Sequence, residues 1–230
     1  MLSAVQFRDY RTGEFYSYNT SYQWGIVTKD QWHPLHSATP GNIVPGELLG
    51  FTFDGGRVAA TASLESKYGS RLRVDCLSAH GLVDTDLVVL VGMSSTANSL
   101  PTHVTQISGT AFSCDDIPYT AGGASTGKVI VPASLRADSG SLGLYSAHCR
   151  LNAKAEASAK VWSFILFSDT VEVQGTLDSR ETTATIGEIH CNGHVRMVAG
   201  QRLWLGGRNE TNTTDITVYN LNLEVHKVGE

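Results

Sequence analysis

The chain has 230 residues, and its 17 lysines and arginines against 22 aspartates and glutamates give a formal net charge of −5. Charged residues make up 17% of the sequence, below the roughly 25% of an average globular domain. Because clustered lysine and arginine supply most of the affinity for nucleic acid, this acidic balance excludes nucleic acid as an expected partner. No apolar run approaches the roughly 20 residues of a membrane-spanning helix, and the first residues lack the apolar core of a signal peptide. We therefore expect neither membrane insertion nor classical secretion.

Residues 1–50 are rich in aromatic side chains and have no clear periodicity. Prolines and glycines between residues 34 and 46 predict an irregular connection. Tyrosine and tryptophan bury a large area while satisfying a polar tip, so such a segment suits contact with another chain. We predict that it packs on another chain; an arm folded over its own domain is equally open. The predicted attachment residues are Phe15, Tyr16, Tyr18 and Trp24.

Short strands separated by turn clusters fill residues 51–132. The strand sequences are RVAATASL, RLRVDCL, DLVVLVGM, THVTQIS and GKVIVP. Alternating polar and apolar residues in RLRVDCL are typical of a half-buried antiparallel strand, and Pro132 is expected to end the last strand. This region is predicted to form a small antiparallel β-module.

Residues 133–230 contain six further strand patterns and are predicted to form a two-sheet sandwich. In the last strand, Tyr219, Leu221, Leu223 and Val225 are expected to share the buried face. The segment VWSFILF, residues 161–167, is apolar on both faces, so its second face requires another layer. That layer is either more of this chain or a neighbouring subunit.

Several sequences look like catalytic or metal motifs but do not meet the geometry. The segment Gly122–Val129 fits G-x-x-x-x-G-K but ends in valine and continues as a strand, so a turn is expected instead of a nucleotide site. On one strand, His190 and His194 would stand about 13 Å apart with Cys191 on the opposite face, which does not suit one metal ion. A ring of these histidines around a symmetry axis stays an open alternative. Asp115 and Asp116 are adjacent, so they would face opposite sides of a strand and could not act as a paired acid and base.

His33 and His36 lie beside prolines without a partner carboxylate at helical spacing, and no set of nucleophile, base and orienting group can be assembled. We predict a protein without catalytic residues, cofactor or metal. The four cysteines, Cys76, Cys114, Cys149 and Cys191, contain no C-x-x-C pair and alternate with apolar residues. They are predicted to be buried thiols, although their even number also permits two disulfides.

Two segments resemble known families. The stretch RLRVDCLSAHGLVDTDLVVLVGM, followed by THVTQISGTAFSC, resembles a small β-module of tailed-bacteriophage structural proteins. The matching positions are Ser78, His80, Gly81, Leu82 and Asp86. Gly81 would allow a positive φ in the tight connection, and Leu82 would anchor it.

Residues 140–229 resemble the trimeric jelly-roll heads of phage fibres and spikes and, more distantly, the fold of complement globular heads and tumour necrosis factor. The matching segments are GLYSAHC, KVWSFILFSDTVEV, and VRMVAGQRLWLGG followed by ITVYNLNLEVHKVG. A collagen-like stalk and a coiled-coil or β-helical shaft are missing from the chain. The resemblance implies a homotrimer, which would also supply a second layer for VWSFILF, with Trp162, Phe164 and Leu166 at the interface.

These features predict an all-β protein with three parts: an attachment segment (1–50), a β-module (51–132) and a trimeric jelly-roll head (133–230). The resemblance implies a non-enzymatic virion protein that contacts other virion proteins through its N-terminal segment and binds a host-surface glycan or protein. Residues 209–214 and 169–170 are candidate ligand loops. The chief alternative is a decoration or cement protein of a capsid or baseplate, and a glycan depolymerase ranks third.

Overall fold

The computed structural model describes residues 11–18, 21–25, 29–36, 41–93, 100–155, 160–182 and 186–229. Throughout these residues the regular structure is β-strand, and none of them forms a helix long and apolar enough to cross a membrane. The strands are β1 (Thr12–Ser17), β2 (Tyr22–Trp24), β3 (His33–Pro34), β4 (Val44–Leu49), β5 (Phe51–Tyr68), β6 (Arg71–Cys76), β7 (Leu87–Val91), β8 (Pro101–Ser108), β9 (Ala111–Pro118), β10 (Gly123–Ala124), β11 (Lys128–Ala137), β12 (Gly143–Ala155), β13 (Lys160–Ser168), β14 (Val171–Glu172), β15 (Asp178–Thr182), β16 (Gly187–Met197), β17 (Arg202–Asn209) and β18 (Ile216–Gly229).

The strands form two antiparallel sheets, so the all-β prediction is confirmed. One sheet has six strands in the order β16-β12-β18-β1-β4, with β2 beside β18. The other has twelve strands in the order β10-β5-β6-β9-β8-β7-β11-β17-β13-β14, with β15 beside β13 and β3 beside β17. A further pairing of β5 with β11 closes the series β5-β6-β9-β8-β7-β11 into a ring. The predicted β-module is thus a small closed barrel, which leaves its strands without open edges.

The first of three apolar clusters lies between the two sheets and forms the core of a sandwich. It combines side chains of β12, β16 and β18 with those of β11, β13 and β17. The described part of residues 11–53 also belongs to it, because β1 lies between β18 and β4 within the six-stranded sheet. Of the two sequence interpretations of the N-terminal segment, the described residues therefore match the one in which it lies against its own domain.

The second cluster fills the barrel with side chains between Ala60 and Val131. In the connection between β6 and β7, the exposed Gly81 has a positive φ of 62°, as the tight connection requires. The Leu82 side chain is buried, and its N–H donates to Nδ1 of His80 at 3.0 Å. Nε2 of His80 donates to the carbonyl of Ser108 at 3.0 Å, so the ring fastens this connection to β8.

The third cluster joins the barrel to the sandwich and covers the second face of VWSFILF. Ile165 and Phe167 of β13 pack there with Trp204 of β17 and with barrel residues of β7 and β11. Phe167 and Trp204 stack with ring centroids 4.2 Å apart. The two buried faces of β13 are confirmed, and the second layer in this structure is supplied by the same chain.

Two strand predictions were wrong in detail. β11 continues through Pro132 to Ala137, since the N–H of Ala133 donates to the carbonyl of Leu35 and the strand goes on pairing with β5. The proposed boundary at residues 132/133 consequently falls inside a strand. In β18 the pairing shifts by one residue between Asn220 and Val218, which puts Val218 in the core instead of Tyr219.

Candidate functional site

The outer face of the six-stranded sheet carries most of the polar side chains of the sandwich. Four of the chain's eight histidines are exposed on it: His148, His190, His194 and His226. The alternation of β12, β16 and β18 produces this face, because every second residue points away from the apolar core. A wet outer face of this kind is available for contact with other molecules.

A groove of about 360 Å³ opens in this face. It is lined by Tyr18, Arg150, Asn152, Asn220, Leu221 and Asn222. Three amides, one guanidinium and one phenol ring give it donors, acceptors and an apolar ring face together. Five of its six lining side chains can therefore form hydrogen bonds.

Strand register explains why these side chains meet. Arg150 of β12 lies directly opposite Asn222 of β18, and Asn152 lies opposite Asn220. Asn222 in turn lies opposite Tyr16 of β1, whose ring stacks on Tyr18 at 4.8 Å. Directly opposed residues have Cβ atoms about 4.5–5.5 Å apart, so the polar groups form a regular grid over three strands.

The irregularity in β18 lies at the edge of this grid. Asn152 pairs with Asn220 and Ala153 with Val218, which leaves Tyr219 as the extra residue of a bulge. Without the extra residue, the alternation would turn either Asn220 or Val218 to the wrong face. Bulges often occur beside binding sites because they redirect a side chain without breaking the sheet.

The amide of Asn222 has a fixed orientation and an unused acceptor. Its Nδ2 donates to Oε1 of Glu14 at 2.9 Å, and a carboxylate can only accept, so Oδ1 points the other way. This Oδ1 is buried and has no hydrogen-bond partner among the described residues. A buried acceptor without a donor costs free energy, so Asn222 is held in this orientation at some cost to stability.

Three charged groups lie at the groove, one guanidinium and two carboxylates. Nε of Arg150 donates to Oε1 of Glu188 on β16, and this contact lowers the pKa of Glu188. The carboxylate therefore stays charged at neutral pH and offsets the guanidinium. The other nearby carboxylate, Glu14, is held by Asn222. The arrangement favours an uncharged hydroxylated ligand over a strongly anionic one.

Metal ligation is not indicated on this face. β16 runs without a turn through Asn192 and Gly193, so His190 and His194 stay on the outer face while Cys191 is buried. Within the described ranges there is no group of three His, Cys, Asp or Glu side chains that could hold an ion.

The predicted attachment residues divide into two pairs. Phe15 and Trp24 are fully buried in the sandwich core, and Nε1 of Trp24 donates to the carbonyl of Pro34 at 2.9 Å. Neither can contact another protein, so the prediction was wrong for these two. Tyr18 is 52% exposed and lines the groove, and the half-buried Tyr16 stacks on it.

The predicted trimer residues were also misplaced. Trp162, Phe164 and Leu166 are fully buried between the two sheets of a single chain. Phe164 packs against Trp24 and stacks with Trp162, with ring centroids 6.0 Å apart in both pairs. A folded copy presents no surface of these three side chains to a neighbour.

The two candidate ligand loops are engaged inside the chain. In the loop 209–214, Nδ2 of the buried Asn209 donates to Oδ1 of Asn212, and the N–H of Thr211 donates back to Oδ1 of Asn209. In the other loop, Asp169 accepts the N–H of Arg202 and so holds the β13–β14 turn. These polar groups of the two loops are thus occupied by hydrogen bonds within the chain.

The remaining sequence motifs have structural roles. Asp115 and Asp116 bind different partners, Arg71 and His103, as their adjacency predicts. The Gly122–Val129 segment contains β10 and leads into β11 without a helix. All four cysteines are buried and free, which confirms the buried-thiol interpretation. Burial raises the pKa of Cys76 to about 11 and that of Cys191 to about 12.

Sequence reasoning missed the groove as a site. Alternation correctly placed Leu221, Leu223 and Val225 on the buried face of the last strand, but Asn220 and Asn222 between them were not recognised as partners of Arg150 and Asn152. The signal that could have found them is the pattern of amides on the polar face of two long alternating strands. It becomes a site only when β12 and β18 are known to be neighbours.

Comparisons with known proteins give weak similarities only. Neither a protein-family model nor a curated protein sequence matches the chain. Among solved structures, Eiger TNF from S. frugiperda is 9% identical with a TM-score of 0.33, covering 76% of this chain and 95% of that one. The infectious bursal disease virus Gx strain structure is 9% identical with a TM-score of 0.24, covering 96% and 76%. Arthrobacter globiformis T6 isomalto-dextranase complexed with panose is 14% identical with a TM-score of 0.25, covering 74% and 40%. At such low TM-scores none of these similarities carries an argument about fold or function.

Proposed function

We propose that this chain is a non-enzymatic virion protein of the phage fibre or spike type, which binds a neutral saccharide of the host surface in the groove of its six-stranded sheet. The observation that carries the binding role is the groove itself, with its three amides and an exposed tyrosine. Amide groups suit sugar hydroxyls because each supplies both donors and acceptors. An aromatic face packs against the C–H face of a sugar ring, and the exposed Tyr18 offers such a face at the groove.

The virion role rests on the sequence resemblance to phage structural modules, and the trimer is part of the same proposal. A shallow groove that contacts an uncharged ligand gives weak binding by itself. Three copies on one particle would strengthen it, because linked sites raise the effective concentration of the second and third contacts. A solution mass near three times the chain's 24.7 kDa is expected from light scattering, and the mass of one chain would contradict the trimer.

The test of the groove uses the full chain, because the sandwich core includes residues from both halves of the sequence. The variant Tyr18→Ala removes the exposed ring at the groove. Tyr68→Ala is a matched control, since Tyr68 is 50% exposed at the far end of the barrel strand β5. Binding is measured on immobilised neutral and anionic oligosaccharides.

Wild type and Tyr68→Ala are expected to bind neutral members of the panel, while Tyr18→Ala should lose about two- to tenfold in affinity, the usual contribution of one aromatic contact. Equal binding by Tyr18→Ala and wild type would contradict the groove assignment. Preference for anionic oligosaccharides would contradict the neutral ligand class.

A decoration or cement protein is the second candidate, favoured by exposed aliphatic side chains at one end of the six-stranded sheet. Leu142 and Val198 adjoin the pair Gly143–Met197, and Val228 lies near Leu144 on the next strand. These three side chains are about half exposed. If Leu142→Asp abolishes incorporation into particles while Tyr18→Ala leaves particle stability and host binding unchanged, the cement role is favoured.

A further inference from the structure

A histidine lies between two carboxylates where the barrel meets the sandwich. His103 belongs to β8 of the barrel, and its Nδ1 is 3.0 Å from Oδ2 of Asp116 on the adjacent strand β9. Its Nε2 is 3.8 Å from Oδ1 of Asp169, which belongs to the β13–β14 turn of the sandwich. The imidazole is thus a bridge from one unit to the other.

The position of each carboxylate is fixed independently of the histidine ring. Oδ2 of Asp116 also accepts the backbone N–H of His103 at 2.8 Å. Oδ1 of Asp169 accepts the backbone N–H of Arg202 at 2.8 Å, and the carbonyl of Asp169 accepts Nε1–H of Trp204 at 2.8 Å. Asp169 has a φ of 50°, a left-handed conformation that aspartate tolerates better than most residues. The two acceptors are therefore held on opposite sides of the ring.

The protonation state of His103 decides whether this bridge attracts or repels. A carboxylate only accepts, so Nδ1 must carry the hydrogen that faces Asp116. In the neutral ring, Nε2 then turns a lone pair toward the carboxylate of Asp169. Protonation replaces that lone pair with an N–H, and both contacts become charge-assisted.

Other charged groups at the junction do not remove the preference of this site for a protonated imidazole. Arg202 lies beside Asp169, but its guanidinium is directed to the carbonyl of Thr85 at 3.0 Å and to Oδ1 of Asp86 at 3.5 Å. The groups that act on His103 are Asp169 and Asp116; its contacts with these two carboxylates raise its pKa against an opposing effect of burial. The Arg202 contacts form a second link between the units that does not titrate near neutrality.

We propose that His103, Asp116 and Asp169 form a pH-dependent clasp that tightens the barrel against the sandwich when the imidazole is protonated and loosens it as the pH rises. A raised histidine pKa gives stabilisation that is fully present below the unfolded value of about 6.5 and is lost as the pH rises through the folded pKa. The clasp is independent of the saccharide proposal.

The experiment follows amide exchange of the 169–173 turn and the indole N–H signal of Trp204 by NMR between pH 5.5 and 8.5, with the intrinsic pH dependence of exchange removed. Exchange of the turn amides should become about two- to fivefold faster above the His103 transition, the effect of losing a partly exposed ion pair. The Trp204 signal should titrate with the same midpoint, above 6.5. His103→Gln should remove both changes.

A local measurement is needed because His36 titrates with the opposite sign. Burial lowers the pKa of His36, whose Nδ1–H donates to the carbonyl of Pro34, so global stability should fall as the pH drops below about 6.5. His148→Gln is the matched control: this exposed histidine contacts Ser146 on the far sheet and should leave the turn unaffected. Asp116→Asn is the second variant and should lower the His103 midpoint.

Unchanged pH dependence in His103→Gln, or in Asp116→Asn if the first variant fails to fold, would overturn the clasp. A titration of the Trp204 signal that His148→Gln abolishes would do the same.

Discussion

The most informative single substitution is Phe167→Ala, because it tests which molecule covers the second face of β13. Phe167 is 3% exposed, stacks on Trp204 at 4.2 Å with an interplanar angle of 7°, and meets the edge of Trp32 at 5.9 Å. Both ring partners belong to the same chain. Removing the ring leaves a cavity inside the third cluster that the rigid strands around it cannot close.

The expected loss is about 3–5 kcal/mol in the free energy of unfolding, the usual cost of replacing a buried phenylalanine by alanine. Urea unfolding followed by circular dichroism measures it, and the loss should be the same over a hundredfold range of protein concentration. Val171→Ala, four residues away at a 65% exposed position, should change stability by less than about 0.5 kcal/mol. A loss below about 1 kcal/mol, or one that depends on concentration, would refute the single-chain account of this layer.

Two further predictions concern the cores. Gly207→Ala should lower the free energy of unfolding by about 1–3 kcal/mol, because a Cβ there would lie 2.6 Å from the ring of Trp24. The control Gly109→Ala, with no atom within 4 Å of its Cβ, should leave the stability nearly unchanged in the same thermal unfolding experiment. Burial raises the pKa of all four thiols, so no cysteine should react with a thiol reagent at pH 8 in the native protein. All four should react once the chain is unfolded. Rapid labelling of the native protein would contradict their burial.

Local pattern was sufficient to predict strands, their faces and the inert cysteines. The alternation around Cys149 and Cys191 correctly predicted that both thiols are buried. The apolar residues on both faces of VWSFILF correctly predicted that a layer covers each face. What covers a buried face is a long-range property, however, and residues 87–91 are far from β13 in the sequence. For that reason the pattern could not distinguish the barrel from a neighbouring subunit.

The groove escaped sequence analysis for the same reason. Arg150 and Asn222 are 72 positions apart and become neighbours only through the pairing of β12 with β18. The N-terminal aromatics were misread because β1 is too short and too aromatic to display a clear alternation, although it lies inside the sheet. Burial of Phe15 follows from that position, and Trp24 is buried from β2, which pairs with β18.

The ribbon of β5 and β11 belongs to both units. β11 pairs with β5 from Lys128 to Ala137, with β7 at its barrel end and with β17 at its sandwich end. A pull along this ribbon would load its hydrogen bonds in shear, so that many must break together instead of one after another. The connection between the two halves would then be a mechanically strong element and not a hinge, which suits the proposed attachment role.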